Sequence, residues 1–209
     1  MHTRVWDFWA SRYERLWVQK HSLTPTREQV LQELSGLIDS GREYKLLDMG
    51  CGTGQLIREI QQAFHNVKLS CVGVDVSSKM IEVAASNNPC AIFKVSSIDA
   101  TIGEGEFDIV VCTHSFPYYP DQAKALRNLS TMLKPGGHLL LAQASVNSPY
   151  DALVMFFVKF TTGKANYPSI TTVKQMASKY FSSLTSRVIR DKWYMPTIAL
   201  FVFSQGVQA

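Results

Sequence analysis

Residues 46 to 56 read LLDMGCGTGQL, and this stretch decides the fold. A short apolar strand runs into a glycine-rich turn and a helix opens directly after it, so backbone N–H groups should point outward at the carboxyl end of the strand. Glycines at positions 50, 52 and 54 let the backbone pass close to a bound molecule. The stretch therefore predicts a ligand site at the end of this strand.

Two acidic residues narrow the kind of ligand. Asp48 lies just before the glycine turn, and Asp75 ends a second apolar strand. Glycine-rich turns also serve phosphates and dinucleotides, but an acid about 20 residues beyond the turn is where nucleotide folds hold a ribose. The pair favours a nucleotide-like ligand, with Asp75 as the ribose acceptor.

Strands and helices alternate from residue 45 onward. We predict strands at 46–49, 69–75, 91–95, 107–113 and 138–142, with helices at 55–65, 77–87 and 121–133 between them. Nearly continuous apolar strands in this alternation indicate a parallel sheet covered on both faces. Two further strands, 184–190 and 197–203, are joined by a link too short for a parallel crossover, so they should form an antiparallel hairpin.

The remaining segments are predicted to be helical. Residues 4 to 20 have aromatic residues at helical spacing, and Thr24 followed by proline suggests the cap of a second helix. A helix that starts at Ser148 and Pro149 is apolar almost all round over 152–160, so it should be buried or face an apolar ligand. A further helix is expected over 172–180.

The sequence resembles the class I S-adenosylmethionine-dependent methyltransferases. LDMGCGTG is similar to their nucleotide loop, LKPGGHLLL to their turn into strand five, and the matches run in order over residues 44 to 145. The resemblance implies an α/β fold with a doubly wound, mainly parallel seven-stranded sheet of order 3-2-1-4-5-7-6. Strand 7 would be antiparallel, helices would cover both faces, and N-terminal helices would lie over the cofactor site.

The resemblance also divides the chain, which should form one methyltransferase domain over residues 1 to 209. A helical cap over 1–43 would precede the cofactor-binding core over 44–145. A substrate-cap insertion over 146–170 would follow, and the final helix and hairpin would occupy 171–209.

The cofactor implied is S-adenosyl-L-methionine, with S-adenosyl-L-homocysteine as product. Asp48 would lie near its amino group, and Val76 and Met80 would pack against its adenine. Ser96 stands where the family has an aspartate for the adenine amino group, so either its hydroxyl or a shifted Asp99 would serve. The implied cofactor-binding residues are Tyr13, Asp48, Gly50, Cys51, Gly52, Gly54, Asp75, Val76, Met80, Ser96, Ser97, Ile98, Thr113 and His114.

His114 is the candidate catalytic residue, because it follows strand four, where the family places the transferred methyl group. An imidazole there could remove a proton from the acceptor, or it could only line the cleft. Tyr13 could likewise contact the cofactor or serve packing alone. Expected substrate contacts are aromatic and fit an apolar or flat acceptor: Trp17, Phe116, Tyr118, Tyr119 and Phe156.

The distribution of charge along the chain is compatible with more than one kind of acceptor. Of a net charge of +4, residues 151 to 209 hold 7 basic and 2 acidic residues, so an anionic acceptor is compatible with this region. We expect metal-independent, in-line transfer to a small molecule. Two alternatives are a nucleic-acid (RNA) methyltransferase that uses the basic C-terminal region, which we regard as less favoured, and a non-catalytic cofactor-binding module.

The composition indicates where in the cell the protein should be found. No run of the 209 residues approaches the roughly 18 apolar residues of a membrane span, and the first residues lack a signal-peptide core, so we expect a cytoplasmic protein. All four cysteines lie in or beside predicted strands and form no CxxC pair, so reduced core thiols are expected. The oligomeric state stays open.

Overall fold

The structure of the protein is a computed structural model. The structure describes residues 3–10, 12–15, 17–100, 103–162, 164–190, 192 and 195–206. The helices are α1 (Thr3–Trp9), α2 (Thr24–Ser35), α3 (Gln55–Ala63), α4 (Ser78–Asn87), α5 (Gln122–Met132), α6 (Pro149–Thr162) and α7 (Ile170–Ala177). The strands are β1 (Tyr44–Met49), β2 (Leu69–Asp75), β3 (Ile92–Val95), β4 (Phe107–Thr113), β5 (Leu133–Ala144), β6 (Ser183–Ile189) and β7 (Ile198–Ser204).

The seven strands form one sheet in the order β3-β2-β1-β4-β5-β7-β6, which confirms the predicted topology. β1 to β5 pair in parallel, and β7 runs antiparallel to both of its neighbours. A separate apolar cluster covers each face: one contains Leu47 and Phe201, the other Leu46 and Leu200. Because consecutive strand residues face opposite sides, the largely apolar central strands supply both clusters.

Two predicted helix starts are confirmed. Ser77 accepts from the backbone N–H of Met80 at 3.1 Å, and Asp121 accepts from that of Lys124 at 2.9 Å. These contacts satisfy backbone donors that have no partner inside the helix. β5 is longer than predicted, because the glycine turn before His138 lies within a bulge of the strand.

The N-terminal prediction is wrong in part. One helix over 4–20 was expected, but α1 ends at Trp9 and is followed by a 3₁₀ turn (Tyr13–Arg15) and a π-helix (Gln19–Leu23). Thr24 is not a cap, because the π-helix runs directly into α2. Tertiary contacts explain the breaks: Trp6 packs edge-on against Tyr118 at 5.1 Å, whereas Tyr13 is half-buried next to Asp75, and one straight helix would not present both.

Two expectations of burial are also wrong. Cys90 is exposed in the loop before the edge strand β3, whereas the other three cysteines are buried; all four are free thiols. On α6, Met155 is buried but Leu153, Phe156 and Phe157 are each more than half exposed. Only a narrow stripe of α6 therefore packs against the rest of the protein. No helix among the described residues is long and apolar enough to cross a membrane.

Candidate active site

A cleft of about 580 Å³ opens where β1, β2 and β4 end at one edge of the sheet. Open α/β sheets bind ligands at this edge, where a crevice forms outside the carboxyl ends of the strands. The predicted cofactor residues that line it are Tyr13, Gly50, Gly52, Asp75, Val76, Met80, Ser96, Ile98, Thr113 and His114. A second cavity, of about 400 Å³, adjoins it and is lined by the predicted residues Asp48 and Cys51.

The glycine loop is fixed by its packing. Gly50 has φ +84°, and a Cβ there would lie 2.3 Å from the Cβ of Ser115. Gly52 has φ +53°, and its N–H donates to Asp75 Oδ2 at 3.0 Å. Neither position tolerates a side chain without strain. The loop therefore brings backbone into the cleft wall.

Gly54 departs from its predicted role. It lines neither cavity, and a Cβ there would lie 2.6 Å from Asn88 Nδ2 and 3.2 Å from the Ala84 side chain. Its φ of +77° marks the start of α3. Close packing of α3 on α4, rather than contact with a ligand, requires this glycine.

Asp75 is held by backbone at the centre of the cleft. Oδ1 accepts from the Ser77 N–H at 2.9 Å and Oδ2 from the Gly52 N–H at 3.0 Å. Burial raises the pKa of this carboxyl, and the N–H groups of Ser77, Gly52 and Val76 act against that rise. A carboxylate offers about four lone-pair sites, so acceptor capacity is left for a ligand. The side chain is thus pre-positioned to accept hydrogen bonds from a diol.

The N-terminal segment closes over the cleft. Asp7 accepts from the Ser77 hydroxyl at 2.6 Å, and Glu14 accepts from the Thr53 hydroxyl at 3.0 Å. Tyr13 lies between Asp7 and Glu14 in the chain. Burial and the nearby Asp75 carboxylate raise the pKa of Tyr13 to about 12. Tyr13 is therefore a neutral phenol, and its ring lies against Gly52.

Asp48 lies beneath the glycine loop, only 1% exposed. Its Oδ1 has no hydrogen-bond partner. Burial, with a smaller effect of the Asp75 carboxylate, raises the pKa of Asp48 to about 8. An unpaired buried carboxyl is costly, and a cation placed beside it would stabilise its ionised form. The second cavity thus offers a site for positive charge.

Arg27 lines the same cavity and has three side-chain partners. Its Nε donates to the Glu59 carboxylate at 2.9 Å, Nη1 to Gln19 Oε1 at 3.0 Å and Nη2 to Thr24 Oγ1 at 3.0 Å. A guanidinium has five N–H groups, so two remain. Arg27 is therefore a fixed cation that can still bind an anionic group.

His114 follows β4 and has φ +58°, the left-handed region. Its backbone N–H donates to the Ala142 carbonyl at 2.7 Å, and its Nε2 lies 3.0 Å from Thr26 Oγ1. Burial lowers the pKa of His114 to about 4, with a smaller contribution from Arg27. A neutral imidazole in the cleft can accept a proton or a hydrogen bond. Left-handed backbone in a residue other than glycine is typical of functional sites.

Aromatic and hydroxyl groups form the wall near His114. Ser115 Oγ donates to the Met49 carbonyl at 2.9 Å and lies 3.1 Å from the Tyr119 hydroxyl. Because the Ser115 proton is committed, Tyr119 donates to Ser115. Trp6 and Tyr118 complete this part of the lining. The wall is mainly apolar.

Some predicted site residues lie elsewhere. Phe116 is fully buried in the core between sheet and α5, so it cannot contact an acceptor. Trp17 is 62% exposed and packs on His21, and Phe156 is exposed on α6. Ser97 lines neither cavity. Of the predicted substrate residues, the structure brings Tyr118 and Tyr119 to the cleft.

Thr26 and Arg27 were missed by sequence reasoning, which treated α2 as an apolar stripe with a polar face. Thr26 lies four residues before Val30 and eight before Leu34, and all three are fully buried. Residues four apart in a helix lie on the same face, so the spacing of Val30 and Leu34 also places the Thr26 hydroxyl on the buried side. It gives no indication that the hydroxyl meets His114, 88 positions away.

Comparisons with known proteins agree with this architecture. A family model described as a methyltransferase domain matches residues 9–180. Two curated relatives, the ubiquinone biosynthesis O-methyltransferases of Bordetella avium and Ralstonia nicotianae, are 29% and 31% identical over 133 and 134 residues. These matches cover 61% of this chain and 52% and 53% of the relatives, so the chain spans about half their length.

A solved structure has the same fold. The N-methyltransferase NodS from Bradyrhizobium japonicum, in complex with S-adenosyl-L-homocysteine, superposes with a TM-score of 0.75 at 18% identity, covering 97% of each chain. Fold and cleft define an α/β protein that binds its ligand at the carboxyl edge of a parallel sheet. The chain belongs to the class I S-adenosylmethionine-dependent methyltransferase family, as the sequence resemblance implied.

Proposed function

We propose that the protein transfers a methyl group from S-adenosyl-L-methionine to a hydroxyl group of a small, flat, apolar or aromatic molecule. The observation that carries this proposal is Asp75, which backbone N–H groups hold in the cleft with acceptor capacity left for a ligand. The O-methyltransferase activity in the names of the curated relatives supports an oxygen acceptor.

The cleft fits the nucleoside part of this cofactor. Asp75 would accept hydrogen bonds from both ribose hydroxyls. Val76, Met80 and Ile98 form an apolar surface for the adenine ring. Ser96 lines the cleft, so we assign the adenine amino contact to it. Asp99, the alternative, pairs with Lys124 at 2.7 Å and does not line the cleft.

The second cavity fits the amino acid part. Asp48, once ionised, and Arg27 carry opposite charges, and both have unused hydrogen-bonding capacity. Asp48 would hold the ammonium group of the cofactor, and the two remaining N–H groups of Arg27 would hold its carboxylate. The shared lining of the two cavities at Gly50 and Gly52 allows one ligand to occupy both.

The acceptor would lie against Trp6, Tyr118 and Tyr119. S-adenosyl-L-methionine supplies an activated methyl group in an in-line displacement. The protein orients the acceptor oxygen, and His114 takes its proton as positive charge develops on that oxygen. Even a weak base suffices there, because an oxygen that gains a methyl group becomes strongly acidic. The proposal assigns no role to a metal ion.

Titration calorimetry tests the cofactor assignment. We expect S-adenosyl-L-methionine and S-adenosyl-L-homocysteine each to bind at one site per chain, with dissociation constants in the micromolar range. Formation of S-adenosyl-L-homocysteine should then be measured with catechol and 3,4-dihydroxybenzoate as acceptors. Binding without any transfer would favour a non-catalytic module, and absence of binding would refute the cofactor site.

Cofactor binding should release a proton from Asp48. With a pKa of about 8, this carboxyl is mostly protonated at pH 7, and the cationic cofactor should lower that pKa. We expect most of one proton to be released per cofactor at pH 7, and affinity that rises with pH between 6 and 8. Calorimetry in two buffers of different ionisation enthalpy measures this number.

Asp48→Asn is the matched control for proton release. The amide keeps the size of the side chain but has no proton to lose, so the dependence of the binding enthalpy on buffer should nearly disappear. Titration of the cofactor's own amino group is common to both proteins and cancels in the comparison. An unchanged buffer dependence in the variant would contradict the assignment to Asp48.

A further inference from the structure

We propose that Thr26 is a positioning residue that fixes the tautomer of His114, so that the lone pair of the imidazole lies on Nδ1. The inference rests on the proposed function, because it assigns the atom that would accept the proton. It is carried by two hydrogen bonds to one buried hydroxyl, Thr26 Oγ1 to Ser22 O at 2.7 Å and to His114 Nε2 at 3.0 Å.

Counting protons at this hydroxyl decides the tautomer. A carbonyl oxygen only accepts, so the single proton of Thr26 is committed to Ser22 O. Thr26 can then only accept from His114, and Nε2 must carry the ring proton. In a neutral imidazole the other nitrogen is the acceptor. His114 is therefore the Nε2–H tautomer, with Nδ1 available as a base.

The surroundings keep this arrangement in place. Thr26 is 0% exposed, so water does not compete for its hydroxyl. The carbonyl of Ser22 belongs to the π-helix that precedes α2. A threonine in a helix commonly bonds to the carbonyl four residues back, which also restricts its side-chain rotamer. The backbone of His114 is fixed as well, because its N–H donates to the Ala142 carbonyl oxygen at 2.7 Å.

The tautomer suits methyl transfer to a hydroxyl. As the acceptor oxygen bonds to the methyl carbon, the carbon–sulfur bond breaks and its electron pair stays on sulfur. The hydroxyl proton then passes to Nδ1. The resulting imidazolium still donates from Nε2 to Thr26, so the supporting bond is kept before and after transfer. No rearrangement of the Thr26 hydroxyl is required during the reaction.

Nitrogen-15 NMR of histidine-labelled protein tests the tautomer without an acceptor. Long-range proton–nitrogen correlations at pH 7.5 distinguish a protonated from an unprotonated ring nitrogen, and His114→Asn identifies the signal. We expect His114 to show a protonated Nε2 and an unprotonated Nδ1. The Nδ1–H form, or a mixture of both forms, in the wild-type protein would overturn the proposal even if the enzyme were fully active.

Two variants test the role of Thr26 in the reaction. Thr26→Val keeps the shape of the side chain but removes the acceptor, so the tautomers should mix and kcat should fall at least about tenfold, as for other supporting partners of catalytic groups. Thr26→Ser should keep both the spectrum and kcat within about threefold. Cofactor affinity should be unchanged in both.

The outcomes separate this inference from the proposed function. If Thr26→Val keeps the Nε2–H spectrum, Thr26 does not fix the tautomer. If the spectrum changes but kcat with the same acceptor does not, the positioning role is refuted. Failure of the wild-type protein to bind cofactor would refute the proposed function, while its spectrum would still report the tautomer. If Thr26→Val does not fold, Thr26→Ser and the wild-type spectrum decide.

Discussion

Replacing Asp75 by alanine should weaken binding of S-adenosyl-L-methionine by at least about tenfold, which corresponds to about 1.4 kcal/mol. Hydrogen bonds to charged groups contribute roughly 1.5 to 3 kcal/mol, and two ribose hydroxyls would lose their acceptor. The Gly52 N–H would also lose its partner, so the glycine loop would no longer be pinned to β2. Titration calorimetry of the wild-type and variant proteins measures the change.

Asp39→Ala is the matched control for Asp75→Ala. Asp39 precedes β1, at the opposite end of the sheet, and its carboxylate accepts from the Gly41 N–H at 3.0 Å. Cofactor affinity should be unchanged in this variant, although it also loses an aspartate bonded to backbone. Unchanged affinity in Asp75→Ala, with a wild-type melting temperature, would refute the ribose assignment.

The sheet and its ligand edge could be predicted because they depend on local signals. Apolar strands alternating with amphipathic helices imply a parallel sheet, and residues that follow parallel strands meet at one edge. Asp75 ends one such strand and His114 follows another, so their approach to the cleft required only the topology. Ser77 and Asp121 could be recognised as caps from their position before an amphipathic run.

Tertiary contacts decided the features that were predicted wrongly. The N-terminal helix is interrupted because Trp6, Asp7 and Glu14 each contact a different part of the core. Phe116 has the composition of a substrate contact, but the 3₁₀ turn after β4 directs it into the core beneath the sheet. Spacing along the chain does not distinguish these directions outside regular helices and strands.

The second cavity was the least predictable part of the site. Asp48 was predicted from the resemblance, but its raised pKa follows from burial and from Asp75, which only the folded arrangement shows. Arg27 is a charged residue in a helix, a common surface pattern. Its burial depends on Glu59, Gln19 and Thr24 lying around it, and these come from three different elements.

His114→Asn should lower kcat by about 100-fold or more while cofactor affinity changes little. General-base catalysis contributes typically 10² to 10⁴ in rate. Asparagine is the preferred substitution because it tolerates the left-handed backbone found at this position better than alanine does. The effect is measured as the rate of S-adenosyl-L-homocysteine formation at saturating cofactor and acceptor.

His138→Asn is the control, since His138 lies near the other end of the same sheet and outside both cavities. Its turnover should match that of the wild-type protein. The pH profile adds an independent constraint. With a pKa of about 4, the imidazole of His114 stays unprotonated from pH 6 to 9, so its removal should lower kcat by the same factor across this range. A wild-type inflection near pH 6.5 that His114→Asn abolishes would contradict the assignment of His114 as a neutral base. Wild-type turnover in that variant would leave His114 as cleft lining alone.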